Sequence, residues 1–283
     1  MTTARAASVR LWRTSPATYL ALVVGIALSV FPIYWMFVVA TRSNDVVNDL
    51  PPPLLPGGEL GANVERVFAN EHAAFAYGLV NSLVVASVVT FAVVIFSTLA
   101  GFAFAKLRFR GSNALLLLVI GTMMVPVQLG LIPLYMLMVR LGWNGELKAV
   151  VGPSLVCGFG VFMIRQYAVQ AVSDELVEAA RVDGCSTFRI YLSVVLPALR
   201  PAIAVLALLT FMQSWNDFLW PYAVLDADTP TVQLSLSLLA TAYYTDYAQV
   251  FAATALATVP LLVVFVVFGR QIIGGIMEGA VKS

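Results

Sequence analysis

The sequence predicts an all-α membrane protein of six transmembrane helices with cytoplasmic N- and C-termini. Three observations carry this: the composition, six long apolar stretches, and the one-sided placement of basic residues. Of 283 residues, 60% are hydrophobic and only 11% are charged. A soluble domain carries roughly 45–50% apolar and about 25% charged residues. The missing polar coat implies that lipid replaces water around most of the surface.

A spanning helix needs about 20 apolar residues, because the hydrocarbon core is about 30 Å thick and a helix rises 1.5 Å per residue. The first stretch is Thr18 to Ala40 and the second is Leu79 to Ala105. The third, Ala114 to Val139, contains Pro126 and Pro133. The fourth, Ala149 to Ile164, is short. The fifth and sixth are Pro201 to Val224 and Val250 to Phe268. Backbone amides find no water partners in lipid, so helices must carry all six. The first stretch exceeds the 7–15 residues of a signal-peptide apolar core, and no small-x-small cleavage site follows, so it reads as a retained span.

Basic flanking residues set the orientation. Arg5, Arg10, Arg13, Lys106, Arg108, Arg110, Arg165, Arg181, Arg189, Arg200, Arg270 and Lys282 all fall on one side. Only Arg42, Arg66, Arg140 and Lys148 fall on the other. Both termini are then cytoplasmic, which demands an even number of spans and supports the short fourth one.

The expected organisation is a cytoplasmic segment 1–17, a first span 18–40, an external loop 41–75, a core 76–270 with five spans, and a cytoplasmic tail 271–283. The core includes a cytoplasmic loop, 166–200. The external loop carries Pro51, Pro52, Pro53, Pro56, Gly57 and Gly58 and is predicted to be ordered by turns. Val232 to Tyr244 is apolar but too short to cross, and is placed at the outer interface.

Several function classes are disfavoured. A net charge of +1 gives no footprint for nucleic acid. Cys157 lies in an apolar run and Cys185 in a charged loop, so no disulfide is expected. His72 reads as a solvated loop residue. No GxxxxGK followed by Ser or Thr occurs, so this chain cannot cradle a nucleotide by that route.

The loop 166–200 reads as two short helices. Ser173 is a good N-cap, with Asp174 and Glu175 in the first turn where the helix dipole favours anions. Leu176, Ala179 and Ala180 are expected to form one small apolar face. Gly184, free to adopt positive φ, ends the first helix. A second helix, Ser186 to Val195, is expected to stop before Pro197 and Pro201.

Within this loop Glu178-Ala179-Ala180, three residues, Gly184, nine residues, and Val194-x-Leu196-Pro197 follow one another. This resembles the EAA loop of binding-protein-dependent ABC importer permeases, with Val194 where that family usually has Ile. Ala180 to Gly184, including Asp183, resembles the AAxIDGA segment of the maltose-permease-like, carbohydrate-importing branch, with Cys185 for its last Ala. Met124-Val125-Pro126 and Ile132-Pro133-Leu134-Tyr135 are similar to that branch's third helix. Trp215 to Pro221 looks like its WNxFLWP segment. Gly279, Ala280, Val281 and Lys282 resemble its GAVKG tail, with Ser283 for the last Gly.

The resemblance implies a type I ABC importer permease fold in a bacterial inner membrane. It implies that the EAA loop docks onto a separate ATPase, which carries ATP and Mg, and that this chain binds no cofactor. The implied partners are a homologous permease, two ATPases, an external sugar-binding protein and a carbohydrate, and the tail is implied to touch the ATPases. Small residues such as Ala179 and Ala180 permit close helix approach, and Glu178 can pair with a donor at a docking rim.

Polar groups inside spans are costly and usually face a cavity or a partner. Asn81, Gln128, Gln213, Asn216 and Asp217, with Trp215 and Trp220, supply the amides, carboxylate and aromatic faces that suit a sugar path. Trp215, Trp220 and Tyr222 equally fit an outer aromatic belt, and Asn81 and Gln128 equally fit helix–helix hydrogen bonding. An ion-coupled carrier would need ionisable groups near the midplane, and only Asp217, well off centre, is available. An intramembrane enzyme lacks its residues here.

Overall fold

The structure, a computed structural model, describes residues 15–47, 51–240 and 245–280, with side chains described to Val267. Helices make up the fold, and no strand is present among the described residues. We label them α1 (Pro16–Ala40), α2 (Leu60–Ala69), α3 (Phe75–Lys106), α4 (Ser112–Met123), α5 (Leu131–Arg140), α6 (Leu147–Ser154), α7 (Gly158–Ala171), α8 (Asp174–Val182), α9 (Thr187–Ala198), α10 (Arg200–Trp215), α11 (Leu219–Val224), α12 (Val232–Leu239) and α13 (Tyr247–Ala280). Four segments are long and apolar enough to cross a membrane alone: α1, α3, the α6–α7 run Leu147–Ala171, and α13. Two bent pairs bring the number among the described residues to six when each pair is counted as one span.

The bent pairs correct two expectations. The third span is not one rod: Ser112–Met123 and Val127–Arg140 meet at 88°. Pro126 cannot donate a backbone hydrogen bond and pushes Val125 out of helical geometry, so the chain turns there. The fifth span ends at Trp215 rather than Val224. Asn216 stops it, its side-chain amide donating to the Met212 carbonyl at 2.9 Å and satisfying a helix-end acceptor. At its other end α10 meets α9 at 78°. The second loop helix therefore does not stop before Pro197; α9 runs on to Ala198. A π turn over Tyr191–Val195 resets the hydrogen-bond register, and Pro197 then falls in a first-turn position, where a missing N–H costs little.

The fourth and last spans outrun their apolar stretches. The helical run Leu147–Ala171 takes in Arg165 and Gln166 because Ile164, Ala168 and the following Val172 are buried in the core. Helix α13 continues to Ala280, through most of the stretch expected to be a tail. Apolar length sets the minimum of a helix, and no proline or cap ends this one at Phe268.

Contacts divide the chain into two units. The first comprises the described residues of Met1–Ala69 and Tyr243–Ala255. Buried Asn63 on α2 donates to the carbonyls of Ala40 and Arg42, both at 2.8 Å, capping the end of α1. The proline-rich run offers carbonyls but few N–H groups, and side chains supply the donors. Trp35 Nε1 donates to Pro53 O at 3.2 Å, Tyr34 to Leu54 O at 2.7 Å, and Arg42 Nη2 to Leu55 O at 2.7 Å. Arg66 pairs with Asp246 and Asn63.

The second unit comprises Asn70–Ala242 and the described part of Leu256–Ser283. Helix α3 is its axis, with Val85, Val89, Val93 and Phe102 buried against Ile164 and Ala168 of α7 and Ala202 and Leu206 of α10. Close approach depends on glycine. A Cβ on Gly101 would lie 2.6 Å from Ile164 Cγ2 and 2.9 Å from the Arg165 backbone nitrogen. Small residues at such crossings are how helices associate in lipid, where packing replaces the hydrophobic effect.

Candidate functional site

The hairpin α8–α9 is built from local signals. Ser173 accepts a hydrogen bond from the Leu176 N–H at 3.4 Å and starts α8. Gly184, at φ +79°, follows its end. The Cys185 N–H returns to the Ala180 carbonyl at 2.9 Å, the six-to-one bond of a Schellman ending. Ser186 then caps α9 through the Arg189 N–H at 3.3 Å. A Cβ on Gly184 would meet nothing within 4 Å, so the position is limited by backbone conformation alone. Gly184→Val should therefore weaken this corner by about 1–2 kcal/mol, the cost of a left-handed residue with a side chain. The check is faster amide exchange at Gly184 and Cys185, with Gly184→Asn close to the unmodified protein.

The hairpin's faces differ from the expected one. Val177 and Ile190 point into the core, with Ala180, Cys185 and Leu196 packed beside them. Leu176 and Ala179 point outward with Val182, Phe188 and Leu192. Glu178, Asp183, Gly184 and Pro197 are exposed as well. Val182 is 88% exposed and Phe188 63%. Apolar side chains set among Glu175, Glu178, Arg181 and Asp183 form the kind of patch that marks an interaction surface.

The hairpin is also fastened to the inner end of α3. Lys106 Nζ lies 2.6 Å from Asp174 Oδ1. The Lys106 hydrogen bond and charge, with a smaller contribution from Arg108, hold the Asp174 carboxyl below its ordinary range. The sign follows: the pair is complete above the usual carboxylate pKa and is lost only as pH falls below it. Tyr191 and Thr98 share a buried hydroxyl–hydroxyl bond of 2.8 Å. Sequence reading passed over Lys106 as a flanking charge and missed Thr98 and Tyr191. The available signal was the spacing 98, 102, 106, one stripe of a helix.

The expected path residues are scattered. Gln128 is exposed in the turn between α4 and α5. Gln213 and Asn216 are exposed near the end of α10, and Asp217 is half-buried in the break after it, with Oδ1 3.5 Å from the Trp220 N–H. Trp220 is part-buried, its indole donating to the Ala149 carbonyl at 3.0 Å. Asn81 donates to the Pro230 carbonyl at 2.8 Å, joining α3 to the segment before α12. Trp215 corrects an expectation: it is 1% exposed, stacks on Phe211 at 5.8 Å and donates to the Ala257 carbonyl. Its ring ties α10 to α13 and offers no face to a sugar here. Of the tail residues, Gly279 and Ala280 end α13; Val281 and Lys282 lie outside the described residues.

Long apolar helices, a glycine-packed crossing of α3 and α7, and an ordered hairpin with an exposed apolar patch fit a membrane transport subunit. Residues 93–275 match the family described as binding-protein-dependent transport system inner membrane component, and the chain belongs to it. It is thus a multi-pass inner-membrane transport subunit, not an enzyme, and works with a substrate-binding protein and ATPase partners. It is 36% identical over 204 residues to the arabinooligosaccharides transport system permease protein AraQ of Halalkalibacterium halodurans, covering 72% of this chain and 73% of that protein. It is 34% identical over 256 residues to the lactose transport system permease protein LacG of Rhizobium radiobacter, covering 90% and 92%. It is 31% identical over 264 residues to the sn-glycerol-3-phosphate transport system permease protein UgpE of Shigella flexneri, covering 91% and 94%. Its fold matches a chain of a bacterial ABC transporter involved in the import of the acidic polysaccharide alginate, with a TM-score of 0.79 at 21% identity, over 92% of this chain and 99% of that one.

Proposed function

We propose that this chain is one of two homologous permease subunits in an ATP-driven importer of a di- or oligosaccharide, and that its α8–α9 hairpin receives the stroke of a separate ATPase. The observation that carries this is the exposed hairpin face. Leu176, Ala179, Val182 and Phe188 are offered outward beside Glu178, on helices held rigid by two serine caps and one glycine corner. A hairpin needing no partner would turn those side chains inward.

In this reading two ATPases hold ATP and Mg and grip the hairpins of both permeases through Glu178, Ala179, Asp183, Gly184 and Pro197, with Ala180 and Leu196 seating the hairpin on its own subunit. The end of α13 with Gly279, Ala280, Val281 and Lys282 adds a second contact. Closure of the motors turns the spans from inward- to outward-facing, an external sugar-binding protein delivers the sugar, and hydrolysis resets the state. Gln128, Gln213, Asn216, Asp217 and Trp220 are the groups assigned to the path of a polyol. The sugar assignment draws support from relatives named for arabinooligosaccharides and lactose.

Isolation of the complex from its native membrane tests this. A second permease and an ATPase should copurify, and the ATPase rate should rise with one di- or oligosaccharide plus its binding protein. Copurification without any ATPase, or uptake abolished by a protonophore alone, overturns it.

A further inference from the structure

We propose that the motor's displacement is delivered to the second span, α3, because the hairpin and the inner end of α3 are clamped into one body by Thr98, Phe102 and Lys106. This rests on the docking role of the hairpin. It adds which span the motion enters and which residues of α3 position it.

The three residues lie four apart and so share one stripe of α3. Each touches the hairpin. Lys106 holds Asp174, the first residue of α8, at 2.6 Å. Phe102 packs on the Tyr191 ring of α9, centroids 5.9 Å apart. The Thr98 hydroxyl lies 2.7 Å from the Val94 carbonyl, to which it donates, so the Tyr191 hydroxyl donates to Thr98. Both arms of the hairpin are thus attached, at points about 12 Å apart along α3. Two such points resist hinging and twisting, where one would allow both.

The clamp is hard to open. The Lys106 side chain is only 6% exposed, against 73% for Asp174. Withdrawing the aspartate would leave a largely covered lysine side chain without its partner. Tyr191 and Phe102 are likewise almost fully enclosed.

Of the two chain connections, the one leading from the hairpin into α10 is soft. The chain continues from α9 into α10, but through a π turn over Tyr191–Val195 and a 78° bend at Leu199. Such breaks absorb rotation rather than transmit it. Beside the middle of α3 a groove of about 620 Å³ opens along α10 and α13, walled by Leu83, Val94, Ile203, Phe211 and Pro260. Helix α3 is therefore joined to the hairpin at its inner end, and its outer part is tied by Asn81 and Ser82 to the segment at the start of α12, so a displacement entering at the hairpin has a rigid helix to travel along.

The experiment uses the complete complex, with Cys157 and Cys185 replaced by Ala and Tyr77, exposed near the outer end of α3, replaced by Cys. A membrane-impermeant maleimide reports labelling with and without ATP plus vanadate. We expect nucleotide to change labelling several-fold in this background and in its Lys106→Arg version. In the Lys106→Met version the ATPase should remain bound and active while the change is lost. A second arm replaces Lys106 and Asp174 by Cys and joins them through two mixed disulfides with a short bis-methanethiosulfonate, which releases methanesulfinate and is cleaved by reduction. ATP hydrolysis by the bridged complex should equal that of the same complex unbridged.

Arrest on bridging, reversed by reduction, would show that hairpin and α3 part during the cycle and would overturn the inference. So would labelling indifferent to nucleotide in the Lys106 background, or unchanged in Lys106→Met. If no ATPase accompanies the unmodified chain, the docking role itself has failed. If it accompanies the chain and only the labelling or bridging result is contrary, the failure is confined to the clamp.

Discussion

Glu178→Lys abolishes sugar uptake while the protein still inserts and folds: that is the largest functional effect expected from a single substitution here. Glu178 is exposed on the outward face of α8, so no buried group loses a partner. Lysine forms helix about as well as glutamate, and a cation near the C-terminal turn suits the helix dipole. The helix therefore survives and the damage falls on the docked surface. Reversing a charge at a packed interface costs several kcal/mol, so uptake in reconstituted vesicles should fall roughly tenfold or more. Basal ATP hydrolysis by any motor still bound should persist but no longer respond to sugar. Glu178→Gln, which keeps shape and removes charge, should lose less. Normal uptake by the lysine variant would remove Glu178 from the coupling surface.

Gly101→Val should produce the largest loss of stability. The added Cβ would stand 2.6 Å from Ile164 Cγ2 and 2.9 Å from the Arg165 backbone nitrogen. A side chain can shift, but the α7 backbone cannot without opening the packed face that buries Ile164 and Ala168. Overpacking of this kind costs about 1–3 kcal/mol. The measurement is thermal unfolding in detergent, with Gly101→Ala intermediate and Ile164→Ala restoring only part of the loss, since the backbone clash remains. An unchanged midpoint for the valine variant would mean that α3 and α7 do not approach this closely in the membrane.

The parts of the site legible from sequence were those written in local chemistry. Ser173, Gly184 and Ser186 act through their own backbone and the next few residues, and each does in the structure what its residue type suggests. The face of α8 was not legible. Leu176 and Val177 are adjacent and equally apolar, and nothing local says that Val177 is buried while Leu176 is exposed. Trp215 carried an aromatic signal read as a path or a belt; a hydrogen bond to the Ala257 carbonyl, 42 residues away, puts it in the core instead.

The sequence by itself determined that the chain is a multi-pass helical membrane protein, roughly where its apolar segments lie, and where the hairpin after α7 turns. These depend on apolar length and capping, each a property of a short stretch. Only the tertiary structure decided that the third span bends by 88°, which side of each helix meets another helix, and that Lys106 closes on Asp174. The reason lies in the solvent. Lipid is as apolar as a helix interface, so a buried face and a lipid-facing one carry the same residues, and the periodicity that reveals a core in water is erased.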